Sequence, residues 1–295
     1  MMSVQPFDSL AALPVAGRWE HAAVLVERTG GDLRIETRGD TVRVQHGLNE
    51  ADLREALVPR ITDAVSVRGL GRSEFEAVMV GLVRSTIADP VASWEAYYRN
   101  SLDDLLAGVS DFAPIHERAE SLCVGSVLDL GSCFGFFPIR LAKAGRKVIA
   151  TDIHAGTVRL LDAMRHPLNA GLDTLVCDAR SVPVPDDHVD TVTAIHLLEH
   201  LDATAGADVL REAIRIARRR VIVAVPYEEQ AEACHGHVRT FDSAALSELG
   251  ETTGLRVDVF EFHGGWLVLD VSIAPVERCA SSAGILSAGA AESVV

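Results

Sequence analysis

The sequence has 295 residues, of which 48% are hydrophobic, and a formal net charge of -15 at pH 7. This length accommodates one large domain and a smaller one with an ample core. The acidic balance argues against a nucleic-acid or anionic-membrane surface, because phosphate binding is driven by clustered Lys and Arg. The five cysteines lack C-x-x-C spacing, and no leader-like or membrane-length apolar segment is apparent, so we expect a cytoplasmic protein in a reducing compartment.

Residues 1–65 predict a small β module. Between residues 21 and 47, apolar and polar residues alternate in three runs, at 22–27, 33–37 and 41–45, with glycine-containing turns between them. This pattern predicts an antiparallel meander of three strands. Because three strands bury little surface alone, we expect the module to pack on the main domain.

Residues 66–122 predict a helical segment that covers the main domain. The apolar spacing favours helices at 51–58, within the first module, at 73–88 and after Pro90. Trp94, Tyr97 and Tyr98 share one helical face. Two interpretations stay open for this aromatic face, a core anchor and a wall that stacks on a ligand ring, and the core anchor is favoured.

The stretch from Val127 to Asp152 predicts a strand, a tight turn, a helix and a second strand. The first strand is a short buried run that ends at Gly131. Pro138 lies in the first helical turn, where its missing N–H has no partner to lose, and Gly145 ends the helix. An acid at the end of the second strand is the usual partner of ribose hydroxyls.

The glycines of the turn distinguish two kinds of ligand. A pyrophosphate needs bare backbone donors at three positions of G-x-G-x-x-G, but Cys133 and Phe136 occupy the second and third positions. The segment from Asp129 to Gly135 instead resembles motif I of class I methyltransferases, D-x-G-x-G-x-G, with Cys133 in place of the middle glycine. The resemblance implies S-adenosylmethionine as cofactor, lying against Gly131 and Gly135.

Strands and helices alternate regularly up to residue 274. The predicted strands are 174–177, 189–196, 220–225, 255–262 and 266–273, with helices at 203–217 and 243–253. Alternation predicts a parallel sheet, whereas the Gly264-Gly265 link permits only an antiparallel last pair. Residues 123–274 therefore resemble the α/β, Rossmann-like domain of class I methyltransferases, with seven strands and an antiparallel last strand. The Ala-, Ser- and Gly-rich tail at 275–295 is expected to be disordered.

Ligands of such sheets bind at the carboxyl ends of the strands, so the residues after each strand are the candidate site. The methyltransferase resemblance implies cofactor contacts from Asp129, Gly131, Cys133, Gly135, Asp152, Ile153, Asp178, Ala179 and His196. Asp178 follows the third strand, where the family binds the adenine amino group.

The fourth strand is followed by His196-Leu-Leu-Glu-His200, whose spacing puts three polar side chains on one face of a helical turn. The segment resembles E-x-x-E-H, with which ubiquinone-pathway O-methyltransferases and small-RNA 3′-end 2′-O-methyltransferases hold a divalent metal ion together with a later histidine. His196 replaces a glutamate of that motif. The loop after the fifth strand supplies the later histidine, as His235 or His237.

Two mechanisms are compatible with these residues. His196, Glu199, His200 and His237 could hold a divalent metal ion that binds two neighbouring hydroxyls. Without a metal, Glu199 and His200 orient the substrate and His200 or His237 is the catalytic base, because imidazole accepts protons near neutral pH.

Three motifs together resemble the mycofactocin oligosaccharide methyltransferases. They are W-x-x-Y-Y-R-N-S from residue 94, D-L-G-S-C-F-G-F from residue 129 and H-G-H-V-R-T-F from residue 235. The resemblance implies a small-molecule, glycan-bearing acceptor whose glucose chain is methylated on a hydroxyl, and no nucleic-acid or membrane partner. Methylation of a phenol or amine stays open, as does a binding protein that has lost its chemistry. A nicotinamide enzyme is least expected.

Overall fold

The computed structural model describes residues 9–11, 13, 15–232 and 235–272 of the chain. The strands are β1 (Arg18–His21), β2 (Val24–Arg28), β3 (Arg34–Arg38), β4 (Thr41–His46), β5 (Val127–Leu130), β6 (Val148–Asp152), β7 (Asp173–Val176), β8 (Val189–Ile195), β9 (Ala217–Val225), β10 (Arg256–Glu261) and β11 (Gly265–Asp270). The helices are α1 (Leu57–Ser66), α2 (Arg72–Thr86), α3 (Pro90–Leu106), α4 (Ala113–Leu122), α5 (Phe136–Lys143), α6 (Ala155–Arg165), α7 (Ala203–Ile216) and α8 (Ser243–Glu251). The predicted tail, 275–295, lies outside the described residues.

The main sheet has seven strands in the order β10-β11-β9-β8-β5-β6-β7, and β11 is antiparallel to both of its neighbours. The seven-stranded Rossmann-like sheet with a reversed last strand is therefore confirmed. Helices α5 and α6 pack in the buried cluster on one face, and α7 and α8 in the cluster on the other. Because both faces are covered, the central strands are continuous apolar runs.

The N-terminal sheet differs from the predicted meander. Its order is β1-β2-β4-β3, and β2 pairs with β4 in parallel. The antiparallel meander of three strands is wrong for two reasons: β1 is an additional strand, and β4 lies between β2 and β3. Strand β4 buries alternate residues, including Val42 and Val44, whereas β3 buries Ile35 alone, so β3 takes the edge. The tight turn between β3 and β4 lies where it was predicted.

The helical cover also differs in part. The predicted helix at 51–58 is wrong: a short 3-10 turn spans Glu50–Asp52, and α1 begins only at Leu57. Helix α4 was not predicted. The proposed boundary after residue 65 falls within the last turn of α1. One cluster of buried residues runs from the N-terminal sheet through α1, α2 and α3 to α5 and α6, so the first 122 residues pack against the main sheet's helices as one layer.

The aromatic face of α3 belongs to this buried layer. Trp94, Tyr97 and Tyr98 are buried, and their rings contact Phe134 and Phe136 of the central turn at centroid distances of 5.1–6.2 Å. The core interpretation of this face is confirmed, and α3 thereby supports the turn from beneath. Within the described part of the chain, no helix combines the length and apolar character needed to cross a bilayer.

Candidate active site

The glycine turn between β5 and α5 has the backbone that its sequence predicts. Gly131 and Gly135 have φ of 68° and 75°, a region that residues with a Cβ rarely adopt. A Cβ on Gly131 would lie 2.7 Å from Leu197, and one on Gly135 would lie 2.6 Å from Leu161. Cys133 has φ of 48°, which explains why the family pattern has glycine there and shows that this chain accepts some strain.

Asp152, at the end of β6, is tied to the turn. Its carboxylate accepts hydrogen bonds from the backbone N–H of Cys133 at 3.1 Å and of His154 at 2.8 Å, and the His154 ring lies 3.2 Å away. Burial alone would raise the pKa of Asp152, but these hydrogen bonds hold the pKa below its usual value. The acid is therefore ionised at neutral pH and fixed in direction, as a binder of ribose hydroxyls must be.

The other predicted cofactor residues are placed differently from one another. Ile153 follows Asp152 and is 59% exposed, so it offers apolar surface at the sheet edge. Asp178 lies near the surface and is paired with Arg180 at 2.5–3.0 Å; Ala179 next to it is half-buried. Asp129 is buried and accepts a hydrogen bond from the Thr193 hydroxyl at 2.6 Å, so its side chain braces β5 against β8. Burial raises the pKa of Asp129 to about 6.

Three polar residues meet at the next strand ends. Glu199, His200 and His237 each offer one ligand-type atom, and these atoms lie within 4.8 Å of one another. Glu199 and His200 form the 3-10 turn that follows β8, and His237 comes from the loop after β9. The backbone N–H of Val238 donates to the Glu199 carbonyl at 2.8 Å, which holds the loop against that turn. We call these three residues the histidine cluster.

Both histidines of the cluster have one ring nitrogen fixed. His200 donates from Nδ1 to the Gly236 carbonyl at 3.2 Å, and His237 donates from Nδ1 to Glu228 Oε2 at 2.8 Å. A carbonyl and a carboxylate can only accept, so each Nδ1 carries the proton and each Nε2 keeps its lone pair. Burial lowers the pKa of His200, which favours its neutral ring.

Glu199 has no such partner. Its side chain is 1% exposed, and neither carboxylate oxygen makes a hydrogen bond. Nδ1 of His196 lies 3.3 Å from Glu199 Oε1 without hydrogen-bond geometry. His196 has φ of 54° and its ring contacts Phe112 at 5.2 Å. The structure thus brings together three of the four predicted metal ligands, with His196 beside the carboxylate.

Helices α1 and α2 reach the loop that carries His237. His235 is bonded through Nε2 to the Thr62 hydroxyl at 3.0 Å, so it faces α1 and lies outside the cluster. A Cβ on Gly236 would lie 2.7 Å from Cδ of Arg72, the first residue of α2. These contacts, like the Glu228 partner of His237, were missed by sequence reasoning, because no spacing pattern links residues so distant in the chain.

The described residues fit S-adenosylmethionine better than a dinucleotide. Asp152 is ionised and held next to the turn, and the exposed Ile153 follows it. Cys133 and Phe136 carry side chains where a pyrophosphate site needs bare backbone. The individual contacts of Gly131, Cys133, Asp178, Ala179 and His196 with the cofactor stay predictions.

Residues 128–225 match the family model described as "Methyltransferase domain". A protein of Mycolicibacterium smegmatis named "Probable S-adenosylmethionine-dependent methyltransferase" is 29% identical over 164 residues, which cover 52% of this chain. The chain spans 62% of the length of that curated relative.

Solved structures share parts of the fold at low identity. The PH0226 protein of Pyrococcus horikoshii is 15% identical with a TM-score of 0.48, and the match covers 57% of this chain and 92% of that one. An S-adenosylmethionine-dependent methyltransferase of Aquifex aeolicus is 16% identical with a TM-score of 0.45, covering 58% and 97% of the two chains. The magnesium protoporphyrin IX methyltransferase of Synechocystis, solved with bound S-adenosylhomocysteine, is 17% identical with a TM-score of 0.41, covering 57% and 80%.

Proposed function

We propose that this chain, which carries a class I S-adenosylmethionine-dependent methyltransferase domain, transfers a methyl group to a hydroxyl of a sugar-bearing small molecule. The observation that carries the proposal is the histidine cluster at the carboxyl edge of the sheet, where the glycine turn and Asp152 also lie. Ligands of open α/β sheets bind at this edge. The cluster supplies proton-accepting groups on the side that the cofactor residues leave to the acceptor.

The turn and the end of β6 would hold the cofactor. Asp152 would accept hydrogen bonds from the ribose hydroxyls, and Ile153 would contact the adenine face. When bound, S-adenosylmethionine supplies a methyl group on a sulfonium sulfur that leaves as a neutral thioether. The aromatic layer of α3 beneath the turn keeps these residues in place before the cofactor binds.

The histidine cluster would act on the acceptor hydroxyl. A sugar hydroxyl is a weak acid, so it must lose its proton as its oxygen becomes bonded to carbon. Nε2 of His237 or His200 has the lone pair to receive that proton, because each Nδ1 is held by an acceptor. Glu228 fixes the His237 ring and stabilises its charged form, as a carboxylate does for a catalytic histidine.

A cavity beside the cluster supports a sugar as the acceptor. The cavity holds about 250 Å³, and its lining includes Glu55, Asp104, Ser110 and Phe112. Carboxylates and hydroxyls accept and donate hydrogen bonds to a polyol, and an aromatic ring packs against sugar C–H groups. Phe112 also contacts the His196 ring, which joins the cavity to the turn that carries Glu199.

The finer proposal is that the acceptor is the oligosaccharide of mycofactocin, a glucose chain on a peptide-derived redox cofactor. It is supported by the three sequence motifs that begin at residues 94, 129 and 235. Mass spectrometry of metabolites from a strain that lacks the gene tests it: the proposal predicts hexose-bearing species lighter by one methyl group. An unchanged set of glycosylated metabolites would contradict it.

The reaction class can be tested with the purified protein. The protein is incubated with S-adenosylmethionine labelled in the methyl group and with matched acceptors: glucosides of increasing length, phenols and primary amines. We expect label in a base-stable methyl ether of a glucoside. Label only in a phenol or an amine would reject the sugar acceptor, and S-adenosylmethionine binding without transfer to any of them would favour a binding protein.

A further inference from the structure

The starting observation is the buried carboxylate of Glu199. The side chain is 1% exposed, and both oxygens lack hydrogen-bond partners among the described residues. A buried carboxylate without hydrogen bonds or a counter-charge is costly, and buried charges in proteins are paired or bind metals. Something that is absent from the folded chain itself is therefore expected to satisfy Glu199.

The surroundings of Glu199 are those of a metal ligand. One atom each from Glu199, His200 and His237 lies within 4.8 Å of the others. Metal-binding histidines usually donate their second ring N–H to a carboxylate or a backbone carbonyl, which fixes the ring and leaves the other nitrogen for the ion. His237 donates to Glu228 and His200 donates to the Gly236 carbonyl, both through Nδ1.

We infer that Glu199, His200 and His237 hold one divalent transition-metal ion. Two imidazole nitrogens and one carboxylate suit Mn²⁺, Fe²⁺ or Zn²⁺, whereas Mg²⁺ prefers oxygen ligands. Bonds of about 2.1 Å place ligand atoms about 3.4 Å apart in a tetrahedron, so binding would draw the three side chains together by about 1 Å. His196 lies against the carboxylate and orients it.

The role of the ion rests on the proposed function. Three protein ligands leave coordination positions open, which two neighbouring hydroxyls of a sugar can fill. A hydroxyl bound to the ion loses its proton more easily, and the proton passes to solvent. In the metal-bound protein the ion thus activates the hydroxyl, while His200 and His237 act as ligands and no longer as bases.

The experiment is a titration of EDTA-dialysed protein with Mn²⁺, followed by electron paramagnetic resonance of the free ion. We expect one tight site per chain in the wild type. Glu199→Gln keeps the shape of the side chain but loses the charge, and it should weaken the site about 100-fold. His235→Gln is the matched control, because His235 lies in the same loop but is bonded to Thr62; it should bind Mn²⁺ as the wild type does.

Surface carboxylates are the main competing explanation for binding, because the chain carries a net charge of -15. Equal Mn²⁺ affinity in the wild type and in Glu199→Gln would assign the ion to the surface and overturn the inference. Absence of binding to the wild type would overturn it as well. S-adenosylmethionine titrations of each variant check that the fold is intact, since Asp152 and the turn lie outside the cluster.

The metal site and the proposed function fail in different ways. Full methyl transfer by protein that elemental analysis finds free of metal would reject the site and leave sugar methylation standing. A tight Mn²⁺ site in a protein that methylates no hydroxyl would support the site and reject the proposed function.

Discussion

The two sides of the sheet edge differ in how their carboxylates are satisfied. On the cofactor side, Asp152 accepts hydrogen bonds from two backbone N–H groups, and Asp178 is paired with Arg180. On the acceptor side, Glu199 is buried without hydrogen bonds, and Glu55 is raised by burial to a pKa of about 7. The cofactor side is thus built in advance, whereas the acceptor side is complete only with a ligand, an ion or a proton.

The largest expected effect breaks the acceptor side alone. His237→Ala removes a base or a metal ligand, so kcat should fall by about 10²–10⁴-fold. The affinity for S-adenosylmethionine should change little, because His237 comes from the loop after β9 and Asp152 from β6. Turnover and calorimetric titration of the same preparation measure both quantities. Normal turnover would remove this loop from the site.

Glu228→Gln sharpens the same test, because it acts only through His237. The amide keeps a hydrogen-bond partner at His237 Nδ1 but loses the charge, so we expect a smaller loss of kcat, about 10-fold, with a shifted pH profile of kcat. A loss as large as that of His237→Ala with an unshifted pH profile would indicate a structural role.

The second effect breaks the cofactor side. Asp152→Ala should weaken S-adenosylmethionine binding by about 2–4 kcal/mol, because charge-assisted hydrogen bonds to the ribose are lost. Asp178→Ala is the comparison: its carboxylate is occupied by Arg180, and we expect a loss of only about 1 kcal/mol. Unchanged affinity of folded Asp152→Ala in a calorimetric titration would contradict the cofactor assignment.

The third effect concerns Glu55 and pH. Burial, opposed in part by a hydrogen bond from Ser110, raises the pKa of Glu55 to about 7. The unfolded chain releases this proton near pH 4.5, so between about pH 4.5 and 7 the native state binds more protons, and stability falls as pH rises. Glu55→Gln mimics the protonated form and should add about 2 kcal/mol of stability at pH 8 and little at pH 4.5. Denaturant unfolding at both pH values measures this; equal effects would contradict it.

The smallest expected effect compares the two carboxylates directly in metal-free protein. Asp152→Asn weakens hydrogen bonds from Cys133 and His154, so it should lower the free energy of unfolding by about 1 kcal/mol. Glu199→Gln removes an unsatisfied buried charge, so it should raise that free energy by about 1 kcal/mol. Thermal unfolding after EDTA dialysis tests the opposite signs. The same sign for both would show that the two sides are satisfied alike.

What sequence predicted well was local or periodic. The turn at Gly131, the acid at Asp152 and the reversed last strand follow from strand and helix periods, glycines and short connections, which constrain the chain within about 30 residues. The aromatic face of Trp94 was assigned to the core for the same reason: its spacing marks one buried helix face.

What sequence missed depends on distant partners. The parallel pairing of β2 with β4 arises because β4 inserts between strands that precede it. Glu228 is one of several acids in a polar loop, and only the fold shows that it holds His237. The choice of His237 over His235 likewise depends on Thr62 of α1, which binds His235 and turns it away. No spacing rule predicts such contacts.

The central claim is that the sheet edge divides the work between cofactor and acceptor. Single-turnover methyl transfer from labelled S-adenosylmethionine to a glucoside, with the enzyme saturated by cofactor, tests it most directly in the wild type, His237→Ala and Asp152→Ala. The account predicts a rate that is lost in His237→Ala and largely restored in Asp152→Ala once the weaker binding is saturated. Equal loss of rate in both variants at saturation, or no transfer by the wild type, would contradict it.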